Sequence, residues 1–401
     1  MSELPEGWRL AKLGELAQYL NGAAFKPDDW GDVGVPIIRI QNLNDPSKPM
    51  NRTTRPVNER LRVCDGDVLV SWSATLDAFI WDRGEAWLNQ HIFRVLPHES
   101  LVDKRFLFFL LKREIASLIE TEHLHGSTMK HINRGPFLSH QVALPPLAEQ
   151  RRIVARLDVL LGCTRRAREE LAHVPRLVER QRQAVLAQAF SGELTQEWRT
   201  AQRLAEPEQV TLGSVTSDFS YGSAEKSQVS GLVPVLRMGN IQNGSLDWGN
   251  LVFTSGQAEI AKYLLAPGDV LFNRTNSPEL VGKTALYRGE RKAIYAGYLI
   301  RIRCKPTLRP EFLTYCLNSP TGRDHCWRVK TDGVSQSNIN SKKLAAFSFY
   351  LPTIEEQLEI IRRIEAAIAR IERAGAEAMR AAALVERLER ATLARAFRGA
   401  L

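Results

Sequence analysis

Apolar residues along this chain fall into two patterns. Short β-prone runs at residues 36–40 (PIIRI), 68–72 and 91–96 are bounded by Gly, Pro, Asn and Asp, which predicts strands. Residues 103–120 instead place Phe106, Leu110, Ile115 and Leu118 at helical spacing. That pattern predicts a helix packed on a sheet, with Lys104, Lys112, Arg113 and Glu114 in water. From Pro145 onward the period becomes helical. Ile153, Val154, Leu157, Leu160 and Leu161 make one stripe, and Leu358, Ile361, Ile364, Ile368 and Ile371 make another. Gly162 and Pro175 are expected to bend or interrupt the first helical region, whereas residues 355–397 carry no proline. A continuous helix there is about 65 Å long at 1.5 Å per residue, enough to pair with its repeat as an antiparallel spacer.

The repeat is explicit. Residues 177–194 (LVERQRQAVLAQAFSGEL) return 207 positions later as residues 384–401 (LVERLERATLARAFRGAL). At the same offset LPPLAEQRRIV becomes LPTIEEQLEII, and Ile132-Asn133 becomes Ile339-Asn340. Gly66-Asp67-Val68-Leu69 recurs at Gly268-Asp269-Val270-Leu271, and Val35-Pro36 at Val233-Pro234. The offset drifts by only a few residues, as loop insertions in a shared fold would make it. The second copy predicts strands at residues 234–238, 270–272 and 298–303 and a helix after Pro310. The organisation is therefore a mixed domain at residues 1–146, helices at 147–194, a linker at 195–209, a second mixed domain at 210–352, and helices at 353–401. The fold class is mixed α/β (α+β), with an approximate twofold between the halves.

Two stretches differ between the copies where the scaffold does not. SWSATLDAF at residues 71–79 stands against NRTNSPELV at 273–281, after the same turn and buried strand. GSTMKHIN at residues 126–133 stands against GVSQSNIN at 333–340. Ser127, Thr128, Lys130 and His131 in one copy, and Gln336, Ser337 and Asn338 in the other, are hydrogen-bonding types suited to phosphates and base edges. Ordinary polar loops are the alternative.

Charge narrows the partner. The 401 residues carry a formal charge of +9 with a pI near 9.4, which favours a polyanion such as nucleic acid. The five cysteines show no Cys-x-x-Cys spacing, so neither a zinc site nor a disulfide framework is indicated, and a reducing cytoplasm fits. Neither a signal peptide nor a membrane span is expected, because the longest greasy run, residues 106–111, is flanked by basic residues. Catalytic motifs are not found. Pro145-Pro146 follows Leu144 where a DNA amino-methyltransferase loop needs Asn or Asp, and no Gly-x-Gly-x-x-Gly is present. Gly282-Lys283-Thr284 imitates a P-loop end that Pro278 interrupts, and Glu290-x-Lys292 lacks the further acid of a metal nuclease. By elimination the chain binds rather than reacts.

These residues resemble the specificity subunit of type I restriction-modification systems. The likeness rests on LPEGW at residues 4–8, the two GDVL strands, LPPLAEQRRIV with LPTIEEQLEII, and the two AF-x-G-x-L helix ends, and it covers essentially the whole chain. The resemblance implies two target recognition domains, each reading half of a split double-stranded DNA sequence, and helices that fix the gap. It further implies two methyltransferase and two restriction-motor subunits as partners, no cofactor on this chain, and S-adenosylmethionine, ATP and magnesium on those partners. A stand-alone DNA-binding regulator is the rival class.

Within that resemblance, the unlike loops predict two different half-sites. Arg39, Gln41 and Asn42, and equivalently Arg237 and Asn240, follow the Pro-seeded strand and are candidate base contacts, with a strand-end hydrogen bond as the alternative role. Asn273, Arg274, Thr275 and Asn276 are the candidates in the second domain, with Ser71 and Ser73 as the first domain's counterpart.

Overall fold

The computed structural model describes residues 4–122 and 133–401. The chain divides into two compact units, residues 1–172 with 379–401 and residues 173–378. In the first, an antiparallel sheet runs in the order Ala17–Asn21, Ile92–Pro97, Val68–Ser71, Asp77–Ile80. A second sheet orders Arg52–Thr53, Val35–Ile38, Ala86–Leu88 and Arg62–Val63, with Val35–Ile38 and Ala86–Leu88 parallel. The second unit repeats this plan. Thr216–Tyr221, Leu299–Cys304, Val270–Asn273 and Thr284–Leu286 form its antiparallel sheet, while Val233–Leu236 runs parallel to Ile294–Tyr295.

The unbroken apolar run after each Gly-Asp turn has a packing cause. Val68 and Val70 face Phe106, Leu110 and Ile115 of the helix Lys104–Glu122, while Leu69 faces Ile38, Trp81 and Leu88 on the other side. Val270 and Phe272 likewise face Phe312 and Leu313, and Leu271 faces Leu236 and Tyr295. A strand covered on both faces needs apolar residues at every position. The preceding aspartates hold the turn: Asp67 Oδ2 accepts from Cys64 N at 2.9 Å and pairs with Arg94, and Asp269 Oδ2 accepts from Ala266 N at 2.9 Å and pairs with Arg303. Gly66 and Gly268 sit at φ of +84° and +93°, where a side chain is strained. The duplicated GDVL is thus scaffold.

The repeated glutamine before each helical region is scaffold too. Gln150 accepts from Asp103 N at 2.7 Å and donates to Leu101 O and Pro145 O at 3.0 and 2.9 Å. Gln357 does the same with Arg309 N, Thr307 O and Pro352 O at 2.8, 3.0 and 2.9 Å. Both side chains are fully buried with donor and acceptor satisfied, and each ties its helix start to the mixed domain.

The helices depart from expectation first at their break. Leu147–Ala172 continues through Gly162, and the break comes at His173, before Val174–Phe190 with Pro175 in its first turn. Proline lacks the N–H that would continue the ladder, while one glycine inside a helix costs only about 1 kcal/mol. The long helix Ile354–Ala396 is continuous over 43 residues. In the first unit, Ile153, Val154 and Leu157 pack in one core with Leu393, Ala396 and Phe397, and Arg168 pairs with Glu389. In the second, Leu186 and Ala189 pack with Ile360, Ile361, Ile364 and Ile368, and a Cβ on Gly375 would lie 3.1 Å from Val178 Cγ2. Each unit therefore contains an antiparallel helix pair. Leu160 and Leu358 of the predicted stripes are exposed. Glu114, expected in water, is buried beside Arg113 and within 3.0 Å of His140 Nε2, because the helix turns that face toward the segment Arg134–Ser139.

Candidate nucleic-acid interface

In the second unit the site is built at the end of two strands. Thr216–Tyr221 runs into Gly222, where a Cβ would sit 2.4 Å from Ala296 O, so only glycine lets the two segments meet. Val270–Asn273 ends at Arg274, whose N–H donates to Tyr298 O at 3.0 Å. The Arg274 guanidinium lies 4.8 Å from the Tyr221 ring centroid, and its Nη2 donates to Asn338 Oδ1 at 2.9 Å. Asn338 Nδ2 donates to Thr275 Oγ1 at 2.8 Å. Stacking and a second anchor hold the fork in one orientation.

The two loops expected separately turn out to be one ribbon. Thr275–Asn276 pairs antiparallel with Ser337–Asn338, which pairs in turn with Thr331–Asp332. Beside it opens a cleft of about 630 Å³ lined by Lys226, Arg237, Arg274, Thr275 and Tyr298 among others. Three cations with Glu225 as the single acid give this surface the sign that phosphates and guanine edges require. Arg237 is exposed and donates to Asn250 O at 3.0 Å. Burial pushes the Tyr221 hydroxyl pKa up, but hydrogen bonds with Ser341 and the Arg274 charge outweigh it and hold it below the ordinary tyrosine value. Next to Ala296 of the cleft lining, Tyr295 is pushed up to about 12, chiefly by burial, with the charges of Asp218 and Asp269 raising it and those of Arg301 and Arg303 lowering it, so it stays neutral.

The first unit keeps the frame and changes the side chains. Gly22 follows Asn21, and a Cβ there would lie 2.2 Å from Asn89 O. Trp72 stands where Arg274 stands, donating its N–H to His91 O at 3.3 Å. Its Nε1 donates to Asn21 Oδ1 at 3.1 Å. Arg39 is half-buried over the Trp30 ring at 4.8 Å, and Gln41 is exposed.

Several sequence candidates are corrected by burial. Asn42 and Asn240 are turn-forming residues: each accepts from the backbone N–H three residues back, Arg39 or Arg237, and donates to two carbonyls of the following loop. Neither presents an edge to a ligand. Asn273 and Ser71 are fully buried at the strand ends, and Ser73 is buried behind Trp72's loop. Ser337 is buried and bonded to Asp332. Arg39, Gln41, Arg237, Arg274, Thr275, Asn276, Gln336 and Asn338 keep accessible surface. Ser127, Thr128, Lys130 and His131 lie outside the described residues. The geometry adds Trp72, Tyr221, Lys226 and Tyr298 to the candidates. The signal was present as NGAAFK at residues 21–26 against YGSAEK at residues 221–226, a repeat around the clamped glycine.

The turn role of Asn240 has a direct check. Asn240→Ala leaves one N–H and two carbonyls without their partner and is expected to cost about 1–3 kcal/mol, seen as a lower melting temperature. The bases selected by the protein should not change; an altered base preference in a stably folded variant would return Asn240 to the contact set.

Among the described residues, no three His, Cys, Asp or Glu side chains come together as a metal-holding group, and no helix is long and apolar enough to cross a membrane. Glu290 of the nuclease-like pair accepts from Arg288 N at 3.1 Å within its own loop.

The family model of the type I restriction modification DNA specificity domain matches this chain twice, over residues 5–176 and 219–378. The chain belongs to that family. It is 26% identical over 426 residues to the type I restriction enzyme EcoKI specificity subunit of Escherichia coli (strain K12), spanning 100% of this chain and 90% of that protein. It is also 26% identical over 418 residues to the StySPI specificity subunit of Salmonella potsdam, with the same coverage. Among solved structures, a chain from work on complex assembly and conformational transition of the type I R-M system matches with a TM-score of 0.74 at 20% identity, over 100% of both chains. The HsdS subunit from Thermoanaerobacter tengcongensis matches with a TM-score of 0.56 at 22% identity, over 100% of this chain and 98% of that one. These likenesses establish the fold as two repeated mixed domains with long helices.

Proposed function

We propose that this chain reads a split, asymmetric DNA target for a type I restriction-modification complex. It is a specificity subunit and carries no catalysis of its own; DNA sequence recognition is its function. Residues 1–146 read one half-site and residues 210–352 the other, while the helices at 147–194 and 353–401 set the gap. Two methyltransferase subunits bring S-adenosylmethionine and methylate adenine. Two restriction-motor subunits bring ATP and magnesium and cleave. On this reading the chain works in the cytoplasm, beside the DNA. The observation that carries it is the duplication: one family domain twice in one chain, with unlike side chains on the same frame.

The test is co-expression with the cognate methyltransferase subunit, followed by sequencing that maps methylated adenines. A split asymmetric motif that appears only when both chains are present is the expected result. Methylation indifferent to this chain, or tight binding of a contiguous site by the chain alone, would replace the proposal with a stand-alone regulator. Spacer length has its own outcome. Adding one turn, about 5.4 Å, to both paired helices near residues 168–178 and 374–383 is expected to lengthen the tolerated gap and leave both half-sites unchanged, as read from the mapped motif.

A further inference from the structure

Trp72 and Arg274 occupy one position of the repeated frame, with opposite chemistry. Each is the residue after the doubly covered strand, Val68–Ser71 or Val270–Asn273. Each N–H donates to the residue just ahead of the returning strand, His91 O or Tyr298 O. Each side chain meets the residue before the clamped glycine, Asn21 by a hydrogen bond and Tyr221 by a stack. Both remain partly exposed. The Arg274 fork presents several donors. Trp72 has one N–H, which Asn21 takes, and its ring stacks on Phe93 at 5.8 Å and tilts against His91 at 5.3 Å. What Trp72 offers a ligand is apolar.

We propose that this frame position determines specificity in both units: Arg274 reads a guanine in one half-site, and Trp72 reads the C5-methyl edge of a thymine in the other. The inference rests on the DNA-reading function proposed above and assigns the asymmetry of the target to one pair of residues. In the major groove, guanine offers two acceptors that match a guanidinium fork, and thymine alone carries a methyl group that an apolar surface can cover. Matching backbone hydrogen bonds and clamped glycines in both units place the two chemistries at equivalent points.

The experiment uses the chain assembled with its methyltransferase partner. Once the motif is mapped, each thymine in the half-site that Arg274→Ala leaves untouched is replaced by deoxyuridine, which keeps the pairing and removes the methyl. One thymine is expected to weaken binding about fourfold, the factor that losing one buried methyl gives. The loss should vanish in W72A, and W72R should change the mapped base at that position while the other half-site and the gap stay the same. The deoxyuridine scan on the wild-type complex needs no variant to fold. No uracil-sensitive thymine there, or the same sensitivity in W72A, overturns the inference and leaves the proposed function standing. A wild-type complex without a split target overturns both.

Discussion

Replacing Arg274 with alanine is expected to relax the target at one base pair of one half-site, by about 1–3 kcal/mol, or roughly 5- to 150-fold in discrimination. The arginine is held in advance. Tyr221 lies under its guanidinium at 4.8 Å, and Asn338 fixes Nη2 at 2.9 Å, so less ordering entropy is lost when the fork meets two acceptors on a base. Arg274→Lys keeps the charge but not the planar fork, so it should retain most of the affinity and lose most of the discrimination. Asn338→Ala removes the second anchor and should fall between wild type and Arg274→Ala. The measurement is the frequency of each base at each position of the mapped methylation motif. Uniform weakening on all sequences, with a shallower salt dependence, would mean that Arg274 contacts a phosphate.

How much of this was legible beforehand follows from what each residue type can signal. Strands at Val35–Ile38, Val68–Ser71 and Ile92–Pro97 and the helix Lys104–Glu122 fall within two residues of their predicted positions, because runs buried on one or both faces carry a clear pattern. The site was less legible. Asn42 and Asn240 looked like base contacts because an amide serves a turn and an adenine equally well, and only burial separates the two uses. The joining of residues 275–276 to 337–338 in one ribbon was not readable, since the segments are some sixty residues apart and two-residue strands have no period. Trp72 lies between two serines that the residue types favour as contacts. Those serines are hydrogen-bonding types, but alternation puts them with Leu69 on one covered face, while Trp72 shares the face of Val68 and Val70 and stays partly exposed at the edge of that core.

The glutamate of the repeated Glu-Gln pair should give unequal results in the two copies, with a large loss of stability in the second. Glu356 is fully buried; it accepts from Thr195 Oγ1 at 2.7 Å and from Arg199 Nε at 2.9 and 3.0 Å, with the Arg199 side chain 10% exposed. Glu356→Ala leaves a buried guanidinium with only the exposed Glu206 and a carbonyl at 3.4 Å, and breaking such a pair from one side costs about 3–5 kcal/mol. Glu149 occupies the same position in the first copy, yet it pairs with Arg152 one turn along the same helix, near the surface, so Glu149→Ala should cost no more than about 1 kcal/mol. Thermal melts of the two variants should separate them. Because a buried pair is stabilising mainly relative to its half-broken form, Arg199→Met combined with Glu356→Leu should recover most of what Glu356→Ala loses. If the double variant melts as low as Glu356→Ala, the pair adds stability beyond mutual neutralisation, and Thr195 together with the Arg199–Glu206 link is where that stability would be sought.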